Sequence, residues 1–572
     1  MGNLLTLLFT GLLLHSVSAV VLEDFQVAQP PPVPRDAKQC TLQILQRDFA
    51  FSFGSAEVVT FSPPTDCGLP GSWSGITLNL TVTSNGTQFD RLGIFTFQNV
   101  EIWRTSTPEP SRGDGIIWTY IKDVTRYIPL FAKPGTFILQ LDNLIQPGLD
   151  GIYSTTVHAT FYASSAAHPP AKKADLIIPL STFANNTGDD ASVPPSFSLN
   201  VTLPQNSVGI YAELYASGNG NEEFWYFNAP NQFLPDLPPG ITFGQGPFRE
   251  LRVLVEDQLA GVAFPYATIF TGGIIPTVWR PITSYGALDL PTYFLDLSPF
   301  IPVLVDGKPH KITLDMSSAE DDHTVLQNWF VSGLLQVITD SSQKRTIGSI
   351  KSYSADPFAQ TSASVSTGAN GDVNFTVTAT HKIHIESEYL SGSGKSTHVT
   401  WTQDLQYSNI QNYLKNGSVQ NVFQHAQGNC VSLHNDIVAV ADSFSYPLNI
   451  NITLLSSNGS SFNAAFDHSY NRDLLPSPLI TGSKISENQI SSGFFNISPA
   501  GNTGNGTNAN TFEYIDADGN TYGRKVTALL NNITFDVQSG NLAPVTVRQS
   551  TSVDQGLFEG SHARLPGGRV VS

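Results

Sequence analysis

Strand-like segments follow one another through this chain with almost no helical periodicity between them. From residue 40 onward, short runs of β-branched and aromatic residues are separated by turns rich in Gly, Pro and Asn, as strands and their connections are. The run ITLNLTV at 76–82 alternates apolar and polar side chains, which is the period of a strand with one buried face. We therefore expect an all-β protein built from β-sandwiches.

Length, composition and charge narrow the possibilities further. The chain has 572 residues, too many for one hydrophobic core, so roughly two to four domains are expected. Charged residues make up only 13% of the chain, whereas it contains 46 Gly and 37 Pro, a balance typical of all-β proteins. The formal net charge of −18 argues against nucleic acid or an anionic membrane surface as a partner.

The strand-like runs divide into three groups. A Pro-rich lead-in over 20–39 precedes a first β-sandwich over 40–164, and the linker SAAHPPAKKAD at 165–175 separates it from a second sandwich over 176–340. From 341 to 548 Ser, Thr, Asn and Gly dominate, and we expect a third, more polar β-rich region made of long hairpins. The tail at 549–572 has no regular pattern.

The first 19 residues, MGNLLTLLFTGLLLHSVSA, have the pattern of a signal peptide. The apolar run is too short to span a bilayer, and it ends in VSA, with small residues at the usual cleavage offsets. We therefore expect the protein to be secreted, either outside the cell or into an acidic compartment such as a vacuole.

Two further features fit an oxidising secretory route. Cys40 and Cys67 are the natural disulfide pair there, which leaves Cys430 as a buried thiol. The chain also carries eleven Asn-x-Ser/Thr glycosylation sequons, which support secretion moderately because chance alone supplies several. The sequons are at Asn79, Asn85, Asn185, Asn200, Asn374, Asn416, Asn451, Asn458, Asn496, Asn505 and Asn532.

The stretch Ser84–Pro110, SNGTQFDRLGIFTFQNVEIWRTSTPEP, combines charged pairs with strand composition. Its opening Ser-Asn-Gly indicates a turn, so Asp90 and Arg91 lie where a loop enters a strand, a place where ligand-binding groups are often carried. A purely structural ion pair at the strand end is the alternative. Glu101 and Arg104 are expected to be architectural and to anchor the strand that follows Asp90.

These residues resemble the peptide:N-glycosidase A family, the glycoamidases that cleave the bond between an N-glycan and its asparagine. The shared phrases are QFDRLG, NVEIWRTSTPEP, GIIWTYIKDVT and WRPI, and the resemblance extends from about residue 22 to about residue 547. A fainter similarity reaches the bacterial peptide:N-glycosidase F, whose fold is two jelly-roll β-sandwiches side by side. The resemblance implies two adjacent jelly-roll-like antiparallel β-sandwiches, with the third, C-terminal β-rich region added to them.

The resemblance also implies catalytic residues. The bacterial pattern occurs here as FDR at 89–91 followed by EIWRTSTP at 101–108, which makes Asp90 the carboxylate that positions or deprotonates the attacking water. Glu223, in the Gly-rich loop GNGNEEFWY, is implied to be a second catalytic carboxylate that holds the amide group. The adjacent Glu222 is an equally plausible substrate-binding candidate from the sequence, and both glutamates could simply belong to a solvated loop.

Two further residues correspond to substrate-binding positions of the bacterial enzyme. Asp142, in ILQLDNL, stands where that enzyme has a glutamate, and Leu144 stands where it has an aromatic side chain, so the sugar-stacking part of the site is not carried over. Arg280, in TVWRPI, stands where that enzyme has an arginine facing the substrate. From the residues alone, Asp142 could equally cap a strand and Arg280 could pack beside Trp279.

No metal ion and no cofactor are expected. Carboxylates and an electropositive group can activate water against an amide without either. The run DADGN at 516–520 hints at a calcium loop, but Thr521 occupies the position that needs glycine, so a hairpin turn is favoured. His381 and His384 fall on opposite faces of a strand, which makes a joint metal site improbable.

The expected partner is an N-glycosylated peptide or protein, and two other functions stay open. An endo-acting glycoside hydrolase also uses a pair of carboxylates. A non-catalytic glycan-binding protein could be built on the same fold, although loss of Asp90 or Glu223 would then be expected and both are present.

Overall fold

The structure is a computed structural model that describes residues 21–368, 370–474, 479, 482–499, 501–544, 564–565 and 569–570. The predicted signal peptide and most of the tail lie outside these residues. The described chain is almost entirely β, with two four-residue α-helices and six short 3₁₀ helices, and this confirms the all-β prediction. No helix in the described part of the chain is long and apolar enough to cross a membrane.

The first sandwich consists of two facing sheets. Its strands are β1 (Leu22–Asp24), β2 (Gln39–Phe49), β3 (Glu57–Phe61), β4 (Gly75–Asn85), β5 (Leu92–Phe97), β6 (Val100–Ser106), β7 (Ile116–Asp123), β8 (Gly135–Leu141) and β9 (Ile152–Tyr162). One sheet has the order β1-β7-β4-β9-β2 and the other β3-β8-β5-β6. A 3₁₀ helix, Thr125–Tyr127, and helix α1, Ile128–Phe131, connect β7 to β8. Aromatic residues such as Trp73, Trp118 and Phe161 fill the core between the sheets.

Two features tie the start of the chain to this sandwich. Within the predicted lead-in, β1 pairs in parallel with β7, and Phe25 N–H donates to Pro281 O, in the second sandwich, at 2.8 Å. The predicted disulfide is present between Cys40 and Cys67, whose Cα atoms are 5.9 Å apart. Cys430 is a buried free thiol.

The second sandwich begins after an extended connection, which is mostly exposed over 165–175. Its strands are β10 (Leu176–Leu180), β11 (Ala191–Val193), β12 (Phe197–Val201), β13 (Ser207–Asn219), β14 (Glu250–Val255), β15 (Gln258–Ala263), β16 (Tyr293–Asp296), β17 (His310–Ser317) and β18 (Asn328–Thr339). One sheet has the order β10-β18-β13-β16, with β11 also paired to β18, and the other has the order β12-β17-β14-β15. The connections contain α2 (Ile301–Leu304) and the 3₁₀ helices Gly220–Glu222, Trp225–Phe227, Asn231–Asp236, Pro276–Val278 and Ser298–Phe300.

Strand β6 joins the two sandwiches, and all seven of its residues are buried. Arg104 pairs with Glu101 through two hydrogen bonds of 2.7 and 2.8 Å. The same guanidinium donates to Phe330 O at 2.6 Å and to Ser217 Oγ at 2.9 Å, both in the second sandwich. A buried charge pair of this kind requires all its partners. The pair therefore anchors the β5–β6 hairpin, and with it the loop that holds Asp90.

The C-terminal region forms one eleven-stranded sheet. Its strands are β19 (Ile347–Ala355), β20 (Gln360–Thr367), β21 (Val373–Leu390), β22 (Ser396–Leu414), β23 (Val419–His434), β24 (Ile437–Leu454), β25 (Ser461–Leu474), β26 (Ser483–Asn496), β27 (Thr503–Asp516), β28 (Thr521–Leu529) and β29 (Asn532–Ser539). From β21 to β29 each strand pairs with the next, so this part is a succession of hairpins. A short pair, β30 (Arg564–Leu565) and β31 (Arg569–Val570), follows.

This C-terminal sheet covers the second sandwich with one face. Alternate side chains of β22 are buried, as expected for a strand with one covered face. Trp401 Nε1–H donates to Ala260 O at 3.2 Å, and Gln403 donates to Val262 O at 2.9 Å. The DADGN run forms the turn between β27 and β28, as favoured from the sequence.

Candidate active site

A cavity of about 360 Å³ opens where the two sandwiches meet. Its wall is made of Phe53, Asp90, Arg91, Leu92, Ile94, Ser106, Gln140 and Asp142 from the first sandwich, and of Asp190, Gly218, Asn219, Gly220, Glu223, Phe270 and Phe330 from the second. Three predicted site residues, Asp90, Asp142 and Glu223, therefore share one cavity. Two others, Glu222 and Arg280, are not among the described residues that line it.

Asp90 lies in the loop two residues before β5 and is half-buried. Backbone hydrogen bonds hold the loop on both sides of it. Arg91 N–H donates to Thr107 Oγ1 and Thr107 N–H donates to Arg91 O, each at 2.9 Å. Tyr153 O–H donates to Phe89 O at 2.7 Å. The carboxylate is thus presented from a rigid strand entry into an open cavity.

A second carboxylate, Glu109, lies directly behind Asp90. A Cβ atom added to Gly272 would be 2.3 Å from Glu109 Oε1 and 2.6 Å from Asp90 Oδ1. A side chain at this position would displace the flexible ends of both carboxylates. The two oxygens are within about 5 Å of each other, close enough for their charges to interact strongly. Glu109 was not predicted from the sequence, because nothing in STPEP distinguishes it from an ordinary turn residue.

Arg280 supports this pair from the protein interior and is only 3% exposed. It donates to Glu109 O at 2.6 Å, and its guanidinium is 4.0 Å from Glu109 Oε2. Burial raises the pKa of the nearby Asp24 carboxyl to about 8 although the charge of Arg280 lowers it. The predicted contact of Arg280 with substrate does not match this placement. The arginine on the cavity wall is Arg91.

Glu222 is likewise directed away from the cavity and is fully buried. Its oxygens accept two hydrogen bonds from Arg249, at 2.6 and 2.7 Å, one from Trp329 Nε1–H at 2.6 Å and one from Leu326 N–H at 2.7 Å. Burial raises the pKa of Glu222, but these donors outweigh it and leave the pKa below its usual value. Glu222 is therefore a structural anchor, which corrects its prediction as a substrate-binding residue.

Glu223 is turned to the cavity by the same short helix. It follows Gly220–Glu222 directly, is half-buried, and its N–H donates to Gly220 O at 3.1 Å. Gly220 has φ of +58°, a left-handed conformation that favours glycine. A Cβ on Gly218 would be 2.3 Å from the backbone oxygen of Glu222, so any side chain at position 218 would collide with the loop. These glycines allow a tight turn, which places the Glu222 side chain in the interior and the Glu223 side chain at the cavity.

The far end of β8 supplies another part of the wall. Asp142 accepts hydrogen bonds from Gly54 N–H and from Gln140 Nε2, both at 3.0 Å. The same Gln140 accepts from Gly188 N–H. Asp142 thus both holds a neighbouring loop in place and lines the cavity. Its role in substrate binding stays a prediction.

Asp190 is a fourth cavity carboxyl that was not predicted from the sequence. Burial raises its pKa to about 6, with Glu101 and Asp142 acting in the same direction and Arg104 opposing them. The sequence signal was the adjacent pair Asp189-Asp190, in a chain with few charges.

An exposed aromatic ring was missed as well. Leu144 occupies the predicted aromatic position, but Phe53 reaches the cavity from the loop whose Gly54 binds Asp142. The Phe53 side chain is 68% exposed, which is unusual for a ring of this size. Phe270 and Phe330 also line the cavity.

Comparison with known proteins places this architecture in a family. Residues 29–356 match the family model of peptide N-acetyl-β-D-glucosaminyl asparaginase amidase A, and residues 374–448 match that of the PNGase_A C-terminal domain. A curated relative from Prunus dulcis, peptide-N4-(N-acetyl-β-glucosaminyl)asparagine amidase A, is 34% identical over 428 residues, which are 72% of each chain. This chain belongs to the amidase A family. The family resemblance predicted from the sequence is confirmed.

The matched region of this amidase A family member contains the whole cavity, because every lining residue falls between 53 and 330. A solved structure of PNGF-II in space group C2 is also similar, with a TM-score of 0.36 and 14% identity. It covers 53% of this chain, which in turn covers 66% of that one.

Proposed function

We propose that this protein is a secreted glycoamidase that hydrolyses the amide bond between an N-glycan and asparagine, releasing a glycosylamine and leaving aspartate. One observation carries the proposal. Asp90 and Glu223 lie 133 positions apart in the sequence and on different sandwiches, yet both line one cavity in a chain of the amidase A family. The cavity size falls within the range of about 300–1,000 Å³ for small-ligand sites.

In the proposed reaction Asp90 accepts a proton from a water molecule in the cavity. The water oxygen then bonds to the side-chain carbonyl carbon of the substrate asparagine. Arg91 supplies positive charge where the oxyanion develops. Glu223 holds the amide nitrogen. As the carbon–nitrogen bond breaks, this nitrogen takes the proton that Asp90 accepted from the water and leaves as the glycosylamine, and the carbonyl carbon becomes the aspartate carboxyl.

Sugar recognition is proposed for the Asp142 side of the cavity. Phe53 offers an exposed face on which the apolar side of a sugar ring can stack. Asp142 is held by two donors and can accept a further hydrogen bond from a sugar hydroxyl or N-acetyl N–H. Phe53 thus supplies the aromatic contact that Leu144 cannot make.

Secretion is part of the proposal. All eleven sequon asparagines lie in the described residues, and none of them is buried. The Cys40–Cys67 disulfide is stable in oxidising compartments. Extracellular space or an acidic compartment such as a vacuole would both fit.

The reaction is tested by incubating the full-length protein with an N-glycopeptide in water labelled with heavy oxygen and weighing the products. We expect a sugar-free peptide in which asparagine has become aspartate with one labelled oxygen, together with the intact glycan. A peptide that keeps one N-acetylglucosamine on asparagine would identify an endoglycosidase instead. An unchanged glycopeptide would indicate a binding protein, and either result would overturn the proposal.

A further inference from the structure

We propose that Asp190 is a substrate-binding residue of this cavity, and that its protonated carboxyl donates a hydrogen bond to the chitobiose end of an N-glycan. The substrate class rests on the proposed function. The role of Asp190 rests on its own position in the cavity. This role makes binding depend on pH through Asp190 itself, without a contribution from Asp90 or Glu223.

Asp190 occupies a defined place on the cavity wall, immediately before β11. A Cβ on Gly188 would be 2.8 Å from Gln140 Oε1 and 3.0 Å from Asp190 Oδ1, so these two oxygens are neighbours. Gln140 also donates to Asp142 at 3.0 Å. Asp190, Gln140 and Asp142 therefore lie side by side on the cavity wall, along the proposed sugar side.

The groups around Asp190 favour its neutral form. Glu101 and Asp142 repel the carboxylate, Asp189 is its chain neighbour, and burial disfavours charge. Arg104 attracts it, but the Arg104 N–H groups are directed to Glu101, Ser217 Oγ and Phe330 O. The other charged groups of the cavity wall are Asp90, Arg91 and Glu223.

The protonation state decides what Asp190 can do. With a pKa raised to about 6, the carboxyl holds a proton at about pH 5 and can donate to a carbonyl or hydroxyl oxygen. At about pH 7.5 it is an anion that can only accept. N-acetylglucosamine presents an N-acetyl carbonyl, which can only accept a hydrogen bond, so binding should weaken as Asp190 ionises.

The test measures binding of N,N′-diacetylchitobiose to the full-length protein by calorimetry at about pH 5 and about pH 7.5. Wild-type protein should bind about tenfold more weakly at the higher pH. The ionised Asp190 carboxylate can no longer donate to the N-acetyl carbonyl, so a buried hydrogen bond is lost and two acceptor oxygens face each other. Asp190→Asn carries an N–H donor at every pH and should keep the acidic affinity across the range. Asp190→Ala should lose about tenfold at acidic pH.

The control is Asp114→Asn, which removes an exposed acid that does not line the cavity. It should bind with the wild-type pH dependence. Melting curves of each variant separate loss of contact from loss of fold.

An Asp190→Asn protein that keeps the pH dependence, or an Asp190→Ala protein that binds like wild type, would overturn the proposal. So would failure of the wild-type protein to bind the disaccharide at about pH 5. Release of glycosylamine from a glycopeptide by the same preparation would then show that the proposed function stands without this role.

Discussion

At the scale of single residues, the backbone decides where the key carboxylate points. Asp90 lies between Phe89, whose carbonyl accepts from Tyr153, and Arg91, whose backbone exchanges hydrogen bonds with Thr107. These anchors do not involve the Asp90 carboxylate. These backbone contacts would remain in place if the charge of Asp90 were removed.

We predict that Asp90→Asn lowers turnover of a glycopeptide by about 10²–10⁴, the usual contribution of a positioned acid–base group. The melting temperature should change by less than about 2 °C, because the amide is isosteric and the site is partly solvated. Initial rates and melting curves check both parts. Lost turnover together with a collapsed melting transition would instead favour the structural ion pair.

At the scale of elements, the loop that contains Gly272 packs against the end of the β6 segment. Because Gly272 has no side chain, the carboxylates of Asp90 and Glu109 can both lie close to its Cα atom. Arg280 then compensates Glu109 from behind at 4.0 Å. The geometry of the candidate site thus depends on how two connecting segments approach each other as well as on the strand that follows Asp90.

Gly272→Ala is predicted to lower turnover by about 10–100-fold, since a misplacement of about 1 Å at a catalytic group costs this much. The added methyl group would meet the flexible ends of two side chains, so the carboxylates shift while the fold survives. Kinetics and melting curves are compared with those of Gly368→Ala, where the nearest atom is 3.3 Å away and the glycine does not line the cavity. Wild-type turnover in Gly272→Ala would show that this close approach is not required.

At the scale of the whole molecule, burial of carboxyl groups couples stability to pH. Burial raises the pKa of Asp24 to about 8 and that of Asp189 to about 7, whereas an unfolded Asp titrates at about 3.9. The folded protein therefore binds more protons than the unfolded chain above about pH 4, and its free energy of unfolding falls as pH rises. His381, whose pKa is raised, acts in the same direction. Burial lowers the pKa of His468 to about 3. This makes the free energy of unfolding rise with pH, but only below about pH 6.5, where the unfolded histidine is protonated.

The clearest window is therefore from about pH 6.5 to about pH 8. Over it we expect the free energy of unfolding to fall by about 2 kcal/mol and the melting temperature to fall with it. Asp24→Asn should remove most of this difference because the amide does not titrate, whereas Asp150→Asn, at an exposed pair with Arg112, should leave it unchanged. A melting temperature that rises over this window would contradict the assignment of these buried acids.

The sequence alone determined the local properties of this protein. Alternation of side chains predicts the strands because the two faces of a sheet meet different surroundings, and the period in ITLNLTV is visible without any partner. The Asp90 loop could be located because turn and strand signals are adjacent in the chain. The same local phrases identified the family and, with it, the pair of adjacent sandwiches.

Only the tertiary structure decided which side chains meet. Glu222 and Glu223 are indistinguishable by composition, but one turn of 3₁₀ helix directs Glu222 to Arg249 and Glu223 to the cavity. Arg91 rather than Arg280 lines the cavity, and Asp190 joins it. These outcomes depend on the packing of two sandwiches whose contacts link residues more than 100 positions apart, such as Arg104 and Phe330, and no local pattern in the sequence contains that information.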